Sequence, residues 1–233
     1  MQIQDIYIQY TIMPSLQLHM LRVAAVAQLI CNSFEKELSE KIPNQVRDDN
    51  IHIDTEHIIA ACLLHDMGNI LKFNMAIFPE FLEPEGKEYW ENIKKEYTQK
   101  YGTDEHEATI QIAKEIQMAP RIIQLIDRFY FLKAQENEKI DDYGAKICAY
   151  ADMRVEPHHI VSLKGRLEEG KRRFYQNTPQ LFDNAVFQTM TASLGEIEKQ
   201  IFSKITIKPT DITDATVSPF IENLRNFELS ISK

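Results

Sequence analysis

The sequence is short of several features that would each point to a class of protein. Only three cysteines occur in 233 residues, Cys31, Cys62 and Cys148. They are odd in number, lie inside apolar stretches and show no CxxC spacing. That excludes a zinc ribbon and argues against a disulfide framework, so they read as reduced core residues of a cytoplasmic chain. Glycine is equally scarce, with seven in all, and falls at breaks such as Gly68, Gly86 and Gly102. Strand-like alternation is almost absent. No apolar run reaches the roughly 18 residues of a membrane span, and the first residues lack the basic and apolar regions of a signal peptide. Basic residues are outnumbered, 26 Lys and Arg against 35 Asp and Glu, for a formal charge of -9. A chain that tracks a nucleic-acid backbone needs a basic stripe, so nucleic acid is not the expected partner. A local basic patch stays compatible with this balance.

What the chain does have is helical periodicity and ordinary globular composition, 44% hydrophobic and 26% charged. The spacing predicts an all-α fold. A long amphipathic helix spans 15 to 41, opened by Pro14-Ser15 and closed before Pro43. Asp54 caps a second helix that runs to about Gly68. Residues 70 to 102 are irregular in their first half, with Pro79 and Pro84, and form a short charged helix in their second; placed directly after His65-Asp66, they are positioned to roof a site. Asp104 caps a helix ending near Gln117, Pro120 starts the next, and Asp141 or Asp142 opens a helix that Pro157 closes. Two more are expected at roughly 158 to 175 and 179 to 204, the second starting at Thr178-Pro179. A short one is expected at Ser218-Pro219. The expected division is a helical domain over 1 to 175 and a helical extension over 176 to 233 packed on it.

The chemistry centres on His65-Asp66. The run Ile58-Ile-Ala-Ala-Cys-Leu-Leu that precedes the pair is apolar on every side and should be buried, which strands an imidazole and a carboxylate in the core unless something pairs them. A metal ion would satisfy both. His19 recurs with Leu16, Val23, Val26 and Ile30 on the apolar face of the first helix, and Asp152 with Ala145, Cys148 and Val155 on that of a later one. One buried histidine is ordinarily a hydrogen-bonded core residue. Three helices each aiming a His or Asp inward are poorly explained by packing. His52, His57, His158 and His159 have no spacing that links them to this set and read as surface or structural residues.

The ordered set, His19 in His19-Met-Leu-Arg22, the pair in Leu63-Leu-His65-Asp66-Met-Gly, and Asp152 in Ala149-Tyr-Ala-Asp152-Met-Arg-Val-Glu-Pro157, resembles the HD-domain superfamily of metal-dependent phosphohydrolases over roughly residues 15 to 175. The Ala-Asp-x-x-x-Glu-Pro phrase is similar to the closing ligand helix of a bacterial subgroup that hydrolyses nucleotides. The resemblance implies an HD-like helical bundle with an inserted irregular segment and a C-terminal helical extension. It also implies a divalent cation (Mn, Fe, Co, Ni, Zn or Mg) held by His19, His65, Asp66 and Asp152, and hydrolysis of a nucleotide or other small phosphorylated metabolite through a metal-activated water. Asp66, Arg22 and Lys72 are the candidate catalytic residues, and Arg22, Asn69, Lys72, His106 and Arg154 the candidate substrate-binding residues. Lys164, Arg166, Lys171, Arg172 and Arg173 are further phosphate candidates, most of them expected on a solvated helix face.

Two departures from the family pattern bear on activity. Many catalytic members carry Lys or Glu where this chain has Asn69, and an amide transfers no proton near neutral pH. His106 resembles the extra histidine of two-metal members, yet the second such histidine is missing from Ile126-Asp127-Arg128-Phe129-Tyr130, so one metal is expected. A catalytically weak metal-binding domain that senses a ligand or joins a partner stays open as the alternative. A di-iron oxygenase, which needs a second metal, is disfavoured by the shortage of histidines. A homodimer is compatible with all of this.

Overall fold

The structure is a computed structural model that describes residues 1–40, 52–174 and 185–230. Its described residues form eleven α-helices and no strand. The helices are α1 (Ile3–Gln9), α2 (Pro14–Glu40), α3 (Thr55–Leu64), α4 (Lys87–Tyr101), α5 (Glu105–Glu115), α6 (Pro120–Asp127), α7 (Ala134–Lys139), α8 (Tyr143–Asp152), α9 (Leu163–Phe174), α10 (Ala185–Phe202) and α11 (Asp214–Arg225). None is long and apolar enough to cross a membrane.

Helix α2 is the axis of the bundle. Met20 to Ala27 are buried on nearly every side, apart from Arg22, because α3, α8 and α11 pack around them. Ala24, Ala25 and Ala27 keep that stretch slim, so neighbouring backbones approach closely. Helix α3 is equally surrounded, by α2, α6 and α8. Ile58 to Leu64 are all buried, as a run without a polar face requires. The caps sit where the sequence placed them: Asp54 accepts from the His57 N–H, Asp104 from that of Glu107 and Asp142 from that of Ala145.

Several boundaries differ from expectation. Helix α3 ends at Leu64 rather than near Gly68. Beyond it the chain tightens into i+3 turns, with Met67 N–H on the Leu64 carbonyl and Asn69 N–H on that of Asp66. Close packing on α5 forces this path: the Gly68 N–H donates to Thr109 Oγ1 at 2.9 Å, and a Cβ on Gly68 would lie 2.3 Å from the Glu105 carbonyl oxygen. Helix α8 ends at Asp152, five residues before Pro157. The Thr178-Pro179 helix start and the 175/176 division lie outside the described residues. Helix α11 starts at Asp214 behind the N-cap Thr213, whose capping box with Thr216 outweighs Pro219 inside the helix. Helices α1 and α7 are too short to stand out in the sequence, although Ile3, Ile6 and Tyr7 bury a helical face and Tyr7 Oη donates to the Leu63 carbonyl at 2.7 Å.

The C-terminal helices are integral to the core. Helix α10 packs on α7 and α8, and α11 lies along α2. Arg154, buried, joins the two parts by donating to the carbonyls of Val161, Pro209 and Ile212 and to Tyr150 Oη.

Candidate metal centre

Two helix ends and one helix face converge at the middle of the bundle. His65 caps the C-terminus of α3 and Asp66 opens the turn after it, so their side chains leave a tightening backbone and reach the same space. His65 is held on both sides. Its Nδ1 lies 2.8 Å from the Cys62 carbonyl, and the Phe129 ring stacks on it at 4.3 Å with planes 17° apart. The His65 side chain is 3% exposed, and its Nε2 is buried without a hydrogen-bond partner.

That orphaned nitrogen faces three other donors. Asp152 Oδ1 is 3.5 Å away and Asp66 Oδ2 3.8 Å. His19, from the second turn of α2, places Nε2 3.1 Å from Asp152 Oδ1 and 3.6 Å from Asp66 Oδ2. Donor atoms around a cation bound at about 2.1 Å lie about 3 to 3.5 Å apart. His19, His65 and Asp66 each offer a ligand atom within 4.8 Å of the other two, close to that spacing, and Asp152 stands beside the two imidazoles. His19, His65 and Asp66 are the only group of three or more metal-ligating side chains that close together among the described residues. The residues therefore fit a divalent metal ion.

The electrostatics agree with that donor set. Burial raises the Asp152 carboxyl, but the hydrogen bond with His19 and the nearness of both imidazoles hold it well below the usual carboxylate range. Burial acts on Asp66 in the same direction, and His65, Lys72 and His19 bring it down. Both are carboxylates at neutral pH. For His65, burial favours the neutral ring while Asp66 and Asp152 outweigh it and raise the pKa, so a bare site attracts positive charge.

Two open cavities, of about 190 and 310 Å³, flank the centre. His19, Asp66 and Asp152 reach the first, whose far wall is Phe73, Phe78 and Phe81 of the irregular segment. The segment thus covers one side of the site. Asn69 lines the same cavity and donates from Nδ2 to Asp66 Oδ2, fixing the carboxylate. Lys72 lines both cavities and pairs with Glu105 at 3.0 Å. Burial lowers its pKa, but Asp66 and Glu105 more than compensate, so it stays a cation.

Other candidates fall elsewhere. Arg154 does not reach the site, because its guanidinium is spent on the carbonyls and hydroxyl already described; the expectation that it binds phosphate is corrected to a strut. Arg22 is turned away too. It donates to the Pro157 carbonyl at 3.2 Å, lies near Asp214 and lines neither cavity. His106 lines the second cavity but is bound to Asp127 at 3.1 Å, and Asp127 is neutralised by Lys133. His158 packs on Phe78 and Phe81 behind the first cavity.

Sequence reasoning passed over Asp127 and left Arg166 and Arg173 undistinguished within a basic cluster. A periodicity count would have separated the last two: seven residues apart, they share a face of α9, whereas Lys164 and Arg172 face solvent.

The family model for the HD domain matches residues 17–152, from just before His19 to Asp152. The chain belongs to the HD domain family. No curated protein and no solved structure matches it. The HD domain family is generally hydrolytic and typically binds divalent metals, and the matched segment ends on the fourth of the converging side chains.

Proposed function

We propose that this HD domain is a metal-dependent phosphohydrolase acting on small phosphorylated metabolites, nucleotides among them. The observation that carries the reading is the buried, unpartnered Nε2 of His65 facing two carboxylates and a second imidazole. Such an atom is costly unless a ligand meets it. His19, His65, Asp66 and Asp152 would hold the ion, which when bound supplies Lewis acidity toward a phosphoryl oxygen and lowers the pKa of a water.

The chain's own residues divide the remaining work. Asn69 orients Asp66. Lys72 sets a permanent positive charge between the two cavities, where a phosphate ester has to lie to reach the centre, and its raised pKa makes it an electrostatic partner rather than a base. The size of the cavities suits a small molecule. Phe73, Phe78 and Phe81 screen one side from water and offer an apolar surface to the organic part of a substrate.

Asn69 favours a second reading, a catalytically weak domain that binds metal and ligand as a sensor. It stands where many catalytic members carry a residue able to help with protonation, and here it only hydrogen-bonds Asp66. Assay of the purified protein with Mn or Co against a panel of phosphate esters separates the two. Turnover that requires added metal and vanishes in Asp66→Ala supports the enzyme. Metal binding without turnover of any ester supports the sensor.

A further inference from the structure

Helix α9 carries an arrangement that the metal centre does not use. Arg166 and Arg173 lie two turns apart on the face of α9 that lines the first cavity, and Glu169 sits between them. Arg166 Nη1 donates to Glu169 Oε2 at 2.7 Å, while Arg173 donates to the same oxygen from Nη2 at 3.2 Å and pairs with the carboxylate as an ion, its Nε 3.0 Å from Oε1. Ion pairs at this spacing usually stand in water, as Lys164 and Glu168 do on the same helix. These three side chains are only 13 to 17% exposed. The Nε of Arg166 is buried and meets no acceptor, and the Arg173 guanidinium lies over the Phe78 ring, 5.8 Å from its centroid.

Desolvating two guanidinium groups beside one another is unfavourable, and their mutual repulsion together with burial lowers the pKa of Arg173 despite Glu169, Asp152 and Asp66. Packing alone gives no reason for it, since two apolar side chains would fill the wall at less cost. An anion in the cavity does give one. Guanidinium forks match phosphate and carboxylate oxygens, and Glu169 already shows where such an oxyanion is held.

We propose that Arg166 and Arg173, held in place by Glu169, form a subsite for a second anionic group of the ligand, separate from the phosphoryl group taken by the metal centre. The ligand class is then a phosphate ester or anhydride that carries a further phosphoryl or carboxylate group, rather than a simple monoester. The assignment rests on the phosphohydrolase reading only for what occupies the metal centre.

Binding of three non-hydrolysable probes at a fixed free Mg concentration tests it by calorimetry: methylphosphonate with one anionic group, methylenediphosphonate with a second phosphoryl group, and phosphonoacetate with a carboxylate instead. The wild-type protein should prefer one of the two-group probes over methylphosphonate by about tenfold or more, and the preferred one identifies the second group. Arg166→Gln and Arg173→Gln should each reduce that preference by about tenfold while leaving methylphosphonate binding nearly unchanged. Thermal melting checks that the variants fold. Should the Gln variants not fold, Arg166→Lys keeps the charge and stem but loses the fork, and should lose several-fold of the preference.

Equal binding of all three probes to the wild type, a preference that survives both substitutions, or an equal loss for every probe overturns the subsite and leaves the phosphohydrolase reading standing. An arginine-dependent preference in a protein that hydrolyses no phosphate ester keeps the subsite and removes the hydrolase. If no probe binds, both fall.

Discussion

His65 Nδ1 lies 2.8 Å from the carbonyl oxygen of Cys62, three residues earlier in the chain. A carbonyl only accepts, so Nδ1 carries the ring proton of neutral His65 and Nε2 presents its lone pair to His19, Asp66 and Asp152. The backbone of α3 thereby fixes the tautomer that a metal ligand needs. Nitrogen NMR of the metal-free protein at alkaline pH should find His65 protonated at Nδ1 and bare at Nε2. The opposite tautomer would leave no lone pair facing the cluster.

Asn69 holds Asp66 in the same way from the other side. Replacing a group that orients a ligand typically weakens metal binding by about tenfold or more, so Asn69→Ala should lower affinity on that scale while leaving secondary structure intact. Titration with Mn followed by calorimetry measures it. Unchanged affinity would mean that Asp66 needs no such support.

Gly68 keeps the turn after Asp66 against α5. A Cβ there would sit 2.3 Å from the Glu105 carbonyl oxygen and 2.8 Å from Ala108 Cβ, both on a packed helix that cannot yield cheaply. Gly68→Ala should cost about 1 to 3 kcal/mol in urea denaturation, the range for overpacking, and displace Asp66 with it. A neutral substitution would show that α5 can withdraw.

Helix α8, which delivers Asp152, begins at a charged cap. Arg121 binds both oxygens of Asp142 at 2.8 Å, and Asp142 also accepts from the Ala145 N–H. Burial pushes the Asp142 carboxyl up, but Arg121 and the backbone donors bring it below its ordinary value. Because the folded-state pKa lies under the unfolded value of about 3.9, the carboxylate stabilises the fold above that value, and the contribution is lost as pH falls through the depressed pKa. Asp142→Asn keeps a capping oxygen and should be less stable than wild type by about 1 kcal/mol at neutral pH. The gap should narrow in denaturation curves taken below about pH 4. A gap that persists there would assign the loss to geometry rather than charge.

Much of the bundle was legible because its signals are local. Period 3.6 put His19 on the buried face of α2, and the caps Asp54, Asp104 and Asp142 fixed three helix starts. Long-range packing was not legible. Arg154 sits two residues after Asp152 and inside the family phrase, yet it is drawn to carbonyls at 209 and 212 that no local pattern could place beside it. The end of α3 depended on how closely α5 approaches Gly68, and the role of Asp127 on its meeting with His106, 21 residues earlier. Pro219 suggested a helix start, but the Thr213 box and the contact with α2 carried α11 through it.

The central claim is that His19, His65, Asp66 and Asp152 hold one divalent ion. In the metal-free protein burial and Asp152 work against the Asp66 carboxylate, but His65, Lys72 and His19 outweigh them and hold its pKa below the ordinary value, so its charge already adds to stability at neutral pH and a bound ion adds more. Asp66→Ala should therefore leave the metal-free fold intact, with an equal or somewhat lower melting temperature. A thermal-shift titration of wild type and Asp66→Ala with Mn, Co, Ni, Zn and Mg tests this most directly. At least one metal should raise the wild-type melting temperature in proportion to the logarithm of its concentration once the site is saturated, with no rise in the variant. Equal shifts in both proteins would place the ion elsewhere and contradict the account.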